Sequence, residues 1–281
     1  MLRLTVCNHK GGTGKTTSTI HLAAALGLSG YRVLVVDLDP QGFLTQMMGI
    51  PEPGEKRSSL VLFHEDVDMS QLPVVPVSGF DILPASGLLT ARQRKLNKPI
   101  DVLWIKESLE QPIAYDVLLF DTAAAVTVYS LSAMVASQYA IIPVTPEYQP
   151  VYGSEQTFQT IKTVQKKLNP SLQDPWMLLT KVDGRVRSHH KYRHYLRTKY
   201  EDLVLQSIVR TCASLAVSHP DHSTTFDTDP GARGAVDYAN VVEEVIRRVR
   251  AQTPDLLPPS DEAAAPREGE APWRSIDRLS V

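Results

Sequence analysis

Six short apolar runs recur through the first 180 residues: Leu2, Leu4 and Val6; Val33-Leu34-Val35-Val36; Phe80-Asp81-Ile82-Leu83-Pro84; Val117-Leu118-Leu119-Phe120; Tyr139-Ala140-Ile141-Ile142; and Met177-Leu178-Leu179. Short, nearly continuous runs of this kind suit strands buried on both faces, as in a parallel sheet. Between them the apolar spacing changes to that of helices. Residues 15 to 29 place Ile20, Ala23, Ala24 and Gly27 on one face and stop at Ser29-Gly30. Helices are also predicted over 100–110, 127–137, 153–168 and 188–200. A last one is predicted over 235–250, with Val236, Ala239, Val242, Val245 and Ile246 as its apolar set. The alternation predicts an α/β fold: a mostly parallel, twisted sheet with helices on both faces.

The periodic pattern stops after Ala251, where Pro254, Pro258, Pro259, Pro266 and Pro272 interrupt a polar stretch. We therefore expect one domain over 1–251 and a Pro-rich tail over 252–281 without a packed structure. Trp273, Ile276, Leu279 and Val281 offer at most a small amphipathic turn at its end. No apolar run approaches the roughly twenty residues of a membrane span, so no membrane partner is expected. The first strand is predicted almost at Met1, so no helix-turn-helix domain is expected before it. Cys7 and Cys212 are too few for a disulfide framework, and a reduced, cytoplasmic setting is expected. The formal net charge of −2 exerts no global pull toward nucleic acid, so binding to a polyanion would need a local patch.

The segment Asn-His-Lys-Gly-Gly-Thr-Gly-Lys-Thr-Thr at 8–17 lies between the first strand and the first helix. That is the setting of a phosphate-binding loop. Gly11, Gly12 and Gly14 lack Cβ atoms, so the backbone N–H groups of Gly11 to Thr17, Thr13 among them, can approach an anion. The positive end of the helix starting near Lys15 adds to the same site. Lys15 can reach the β/γ-phosphates and the Thr16 hydroxyl can hold Mg²⁺. The usual spacing asks for glycine at position 9, but His9 stands there and a second lysine, Lys10, heads the loop.

Two acidic strand ends complete a candidate hydrolysis site. Val33–Val36 runs into Asp37-Leu38-Asp39-Pro40-Gln41-Gly42, at the strand edge where ligands of such sheets bind. Only one of Asp37 and Asp39 needs to meet water or metal; the other can cap the loop. Tyr115-Asp116-Val117-Leu118-Leu119-Phe120-Asp121 is four apolar residues running into an acid, which would reach Mg²⁺ directly or through water. Thr180-Lys181-Val182-Asp183, after an apolar strand, can read a purine base, because the carboxylate can accept from guanine N–H groups. Residues 185–199 concentrate Arg185, Arg187, Lys191, Arg193, Arg197 and Lys199. On a helix there, Tyr192, Tyr195 and Leu196 would face the core and His190, Arg193, His194 and Arg197 would form one stripe. Such a stripe is either a solvated face or a surface for the phosphate backbone of DNA.

The loop K-G-G-x-G-K-T-T at 10–17 and D-x-D-P-Q-G at 37–42 resemble the deviant Walker A ATPases of the ParA/MinD group. The later segments 80–86, 141–147 with Gly153, and 226–234 resemble the same family in order. The resemblance implies a P-loop NTPase fold and ATP with Mg²⁺ as cofactors. Lys10 would reach the partner's nucleotide in a homodimer formed on ATP binding, and Asp39 would orient water while Asp37 lies nearer the metal shell. Lys10, Lys15 and Asp39 are thus the expected catalytic residues, Thr16, Asp37 and Asp121 the metal residues. Thr180 and Asp183 would contact adenine. Nonspecific DNA would meet Arg185, Arg187, His190, Lys191, Arg193, Arg197 and Arg210. A ParB-like or other cargo adaptor would stimulate hydrolysis on the nucleoid. The chain departs from the family at Ala123–Ala125, where a proline-containing stretch is usual, and at Ala213, where a second arginine is usual. A MinD-like membrane ATPase and a nucleotide-dependent scaffold with little hydrolysis are the alternatives. An electron-transfer ATPase would need cysteines placed to hold a cluster between subunits, and the pair here is not so placed.

Overall fold

The computed structural model describes residues 1–217 and 221–258. Strand β1 (Leu2–Val6) leads into α1 (Lys15–Leu28), and β2 (Val33–Asp37) into the short α2 (Phe43–Met47). Strands β3 (Val75–Val77) and β4 (Phe80–Leu83) are followed by α3 (Leu88–Gln93) and α4 (Trp104–Ser108). Strand β5 (Val117–Asp121) leads to α5 (Val128–Ala136), β6 (Tyr139–Val144) to α6 (Tyr148–Lys167), and β7 (Trp176–Leu179) to α7 (Arg187–Tyr200). The single-turn α8 (Thr225–Thr228) and the long α9 (Arg233–Gln252) close the order.

The seven strands form one sheet in the order β3-β4-β2-β5-β1-β6-β7, parallel throughout except for the β3–β4 pair. All six predicted runs are strands of it. The seventh, β3, lies at the edge, and Pro76 inside it hides the strand from a sequence pattern. Proline is tolerated there because an edge strand has a side with no ladder to donate to.

Strand residues alternate between two cores. Leu4, Val35, Leu119 and Ile141 pack on the side of α1 and α9, while Val36, Phe120 and Ile142 pack toward α4, α5 and α6. Helices therefore cover both faces, and the central strands are apolar at successive positions because neither side meets water. The layers approach closely in places: a Cβ on Gly27 would lie 1.9 Å from the Gly79 carbonyl oxygen, so no larger residue fits there.

Four expectations change in detail. The 100–110 helix is a 3₁₀ segment, Pro99–Leu103, followed by α4. Helix α6 starts at Tyr148 rather than 153, because Pro150 falls in the first turn, where its missing N–H would have had no partner. The buried face of α9 is Ala235, Tyr238, Val241, Val242, Val245 and Val249, whereas Val236 and Ala239 are exposed. Tyr238, bonded to Ser18 Oγ at 2.8 Å and stacked on His21, turns that face toward α1. The chain also stays packed beyond Ala251. Thr253 meets the Tyr139 hydroxyl and Leu257 is buried, so residues 252–258 belong with the domain. The remainder of the predicted tail, 259–281, with its terminal amphipathic turn, lies outside the described residues.

Candidate functional site

The loop between β1 and α1 lies at the carboxyl ends of the central strands, between β5 and β6. Gly12 and Gly14 adopt φ of 77° and 85°, the left-handed region that side chains rarely enter. The front of the loop is tied to the strand and helix that follow it in space. Asn8 Nδ2 donates to Pro143 O at 2.7 Å and Asn8 Oδ1 accepts the Lys10 N–H at 2.9 Å. The His9 N–H donates to Thr157 Oγ1 of α6. A Cβ on Gly153 would come within 2.8 Å of Lys10 Cβ, so α6 passes directly behind Lys10.

Lys15 is buried at the start of α1, and its Nζ donates to Lys10 O at 3.3 Å. Burial lowers its pKa, offset in part by Asp121 and Asp39 nearby. A lysine in this state is a cation short of anionic partners, which favours a phosphate. Asp121 ends β5 beneath it, fully buried. It accepts from Thr16 Oγ1 through Oδ2 and from Thr19 Oγ1 through Oδ1, each at 2.9 Å. Burial raises its pKa above the ordinary carboxylate range, against the effect of the two threonine hydroxyls.

Asp37 pairs with Asp121 across the β2–β5 ladder. Its Oδ2 accepts the Thr45 N–H and Oγ1 at 3.0 and 2.7 Å, and its Oδ1 accepts the Asp39 N–H at 3.1 Å. Burial and the neighbouring Asp121 raise its pKa. Both oxygens of Asp37 are thus engaged in shaping the 38–45 turn and the start of α2. Asp39 is half-buried; its Oδ1 caps the Gln41 N–H, and its charge is felt at both Lys15 and Asp121.

Among the described residues no group of three or more His, Cys, Asp or Glu is placed to hold a metal. A divalent cation at Thr16 and Asp121 would take its remaining oxygens from phosphate and water, the habit of Mg²⁺. The buried carboxylate beside a hydroxyl and an underneutralised lysine fits that ion. Cys7 lies at the end of β1, its thiol pushed up to about 12 by burial, and Cys212 is remote in sequence and partly exposed.

Thr180 and Asp183 sit elsewhere than side by side. Thr180 is buried and donates from Oγ1 to Thr13 O at 2.8 Å, under the loop. The Asp183 carboxylate accepts from the Arg185 backbone and guanidinium at 2.8 to 3.0 Å. The switch segment after Asp121 is secured without proline: Thr122 Oγ1 donates to Val6 O and Thr127 caps α5 through a reciprocal pair with Ser130.

The predicted basic helix exists as α7, with Leu196 buried and Tyr192 partly so. Tyr195 is exposed instead of facing the core, because its hydroxyl reaches Glu155 of α6. The cations divide into two sets. Arg185 pairs with Asp183, Lys199 with Glu155, and the Arg210 guanidinium donates through Nε and Nη2 to the buried Asp237 carboxylate, while Arg197 donates to Gln206 O. Arg187, Lys191 and His194 project from α7 into solvent and Arg193 is half-exposed beside Arg197; His190 Nε2 meets Gly184 O. Sequence reasoning missed His189, which is buried at the start of α7 and accepts the Asp183 N–H at 3.0 Å. It also missed Tyr148 and Tyr152, 70% and 57% exposed on α6 next to Gly153. Two tyrosines four positions apart were the available signal, but only the tertiary structure shows that both are exposed and that Gly153, next to Tyr152, lies against Lys10. No helix among the described residues is long and apolar enough to cross a membrane.

The sheet order, the glycine loop and the lysine–threonine–aspartate cluster define a P-loop NTPase fold of the deviant Walker A class. The AAA domain family matches residues 1–174. The chromosome-partitioning ATPase Soj of Thermus thermophilus is 32% identical over 250 residues, 88% of this chain and 96% of that protein. The sporulation initiation inhibitor protein Soj of Bacillus subtilis is 29% identical over 245 residues, 86% of this chain and 97% of that one. Among solved structures, the cobyrinic acid a,c-diamide synthase of Mycobacterium smegmatis with bound ADP and magnesium superposes with a TM-score of 0.72 at 26% identity. It covers 95% of this chain and 100% of its own. The chain belongs to the ParA-type partition ATPase family.

Proposed function

We propose that this protein is a Mg²⁺-dependent ATPase that dimerises around ATP, holds nonspecific DNA in that state and releases it after hydrolysis. Such a cycle positions a plasmid, a chromosome or another cargo on the nucleoid in the cytoplasm, with an adaptor of the ParB kind stimulating hydrolysis. The observation that carries the reading is Asp121, buried and bonded to Thr16, directly below Lys15. Thr16 and Asp121 would hold Mg²⁺, which supplies charge neutralisation of the phosphates when bound. Lys15 and the loop N–H groups hold the phosphates, and Asp39, close to both Lys15 and Asp121, orients the attacking water. Lys10, which packs against Gly153 of α6, would serve the nucleotide of a second subunit, and the exposed Tyr148 and Tyr152 of α6 are in keeping with a subunit contact there.

The test is retention on DNA without nucleotide, with ADP and with ATP, for the wild type and Lys10→Ala. ATP-dependent retention is expected of the wild type alone, while Lys10→Ala still binds ATP. Hydrolysis and retention unchanged in Lys10→Ala would remove the cross-subunit role. A scaffold that hydrolyses little is favoured by Ala123–Ala125 in the switch segment. Single-turnover hydrolysis no faster in the wild type than in Asp39→Ala would select it.

A further inference from the structure

We propose that Lys181, with Thr180 beside it, is a positioning residue that presets the phosphate loop. Its ammonium holds the Gly12 carbonyl outward, so that the following N–H faces the phosphates. The proposal rests on the nucleotide reading above and deepens it.

Lys181 adopts φ of 51°, one of three non-glycine residues with positive φ among the described residues. A long side chain in the left-handed region needs surroundings that over-determine the backbone. Here they do. The Thr180 N–H donates to Val144 O at 3.0 Å on β6. The Val182 N–H donates to Val209 O at 3.0 Å, the Thr211 N–H to Val182 O at 3.1 Å, and Thr211 Oγ1 to Lys181 O at 3.1 Å. With the peptides on either side fixed to β6 and to 209–211, the side chain leaves the end of β7 toward the phosphate loop. Its Nζ donates to Gly12 O at 2.7 Å, across 169 positions of sequence.

Two adjacent loop carbonyls are therefore held from the same side, Gly12 O by Lys181 and Thr13 O by Thr180. In a trans peptide the C=O and the next N–H point in opposite directions. Fixing these oxygens toward β7 aims the N–H groups of Thr13 and Gly14 the other way, away from the protein and toward an anion. The loop needs this help, because nothing lies within 4 Å of a Cβ built on Gly11 or Gly12. Glycines in open space have the widest choice of backbone orientations. A donor array set before the ligand arrives binds without first reorganising. The lysine cation also adds positive potential at the loop beside Lys15.

The experiment titrates Mg·ADP into the wild type, Lys181→Met, Lys181→Arg and Lys181→Gly, with steady-state hydrolysis of ATP and melting temperatures alongside. Methionine keeps the length without the donor, and its Kd is expected to rise about tenfold, as for a lost hydrogen bond to a charged group. The rise in KM should exceed the fall in kcat, since the clamp acts on ground and transition states alike. Arginine should recover most of the affinity. Glycine relieves the backbone strain, so it should melt no lower than the wild type yet bind as weakly as methionine. Methionine or glycine binding Mg·ADP as tightly as a competent wild type would overturn the clamp alone. A wild type that binds no Mg·ADP would overturn the nucleotide reading and the clamp together.

Discussion

The phosphate loop and helix α7 both carry cations, but they hold them in opposite ways. Around the loop, β5, β6, β7 and α6 each supply a strut: Asp121 to Thr16, Pro143 to Asn8, Thr180 and Lys181 to the loop carbonyls, Thr157 to His9. Of the seven predicted DNA contacts on and around α7, Arg185, His190, Arg197 and Arg210 are tied to acids or carbonyls of their own chain, and Arg187 and Lys191 stand in water. A small anion rewards a rigid, partly dry cradle in which each donor is aimed in advance. A DNA backbone rewards summed charge, and a solvated face supplies that without fixed geometry. The first region should therefore fail at single positions, and the second only by accumulation.

The largest effect expected is that of Lys15→Ala, which should weaken Mg·ATP at least about 100-fold by calorimetry, since it removes the buried cation of the cradle. Binding retained within tenfold would mean that the struts, and not the cation, dominate. On α7 the double variant Arg187→Ala/Lys191→Ala should reduce the slope of log affinity against log salt by about two without moving the melting temperature. Arg210→Ala should do the reverse. It leaves Asp237 buried without its guanidinium partner, so a loss of about 1–3 kcal/mol is expected in urea unfolding, with little change of salt slope. A large change of DNA slope in Arg210→Ala would move that residue into the DNA-facing set.

A smaller effect follows from pH. Asp37 and Asp121 hold their protons more tightly in the ligand-free fold than in the unfolded chain, since burial raises both. Their contribution to stability is present below about pH 4 and is lost as pH rises through the raised values. Mg²⁺ needs Asp121 ionised, so its binding releases protons over the same window. The thermal shift caused by Mg·ADP should accordingly be larger at about pH 7.5 than at about pH 5.5. Equal shifts at the two pH values would mean that Asp121 is already ionised in the free protein.

Much of this was readable beforehand for identifiable reasons. Most of the strand runs are nearly continuous because both faces are buried, and the glycine-lysine loop is legible because backbone N–H groups and left-handed turns restrict composition. Strand β3 was not, since Pro76 reads as a break unless an edge is known. The early start of α6 was hidden by Pro146 and Pro150, and the true face of α9 by Tyr238, whose partner Ser18 is 220 residues away. In the basic segment, charge was plain to read but pairing was not. Nothing local distinguishes Arg210, committed to Asp237, from Arg187, which is exposed.

The sequence by itself determined the fold class and the residue types of the phosphate cradle, because strand burial and anion binding leave local signatures within a few residues. Only the tertiary structure decided which carboxylate meets Thr16, which arginines are free, and that Lys181 closes on Gly12. Those are contacts between segments 27 to 169 positions apart, set by the order of strands in the sheet and not by any neighbour in the chain.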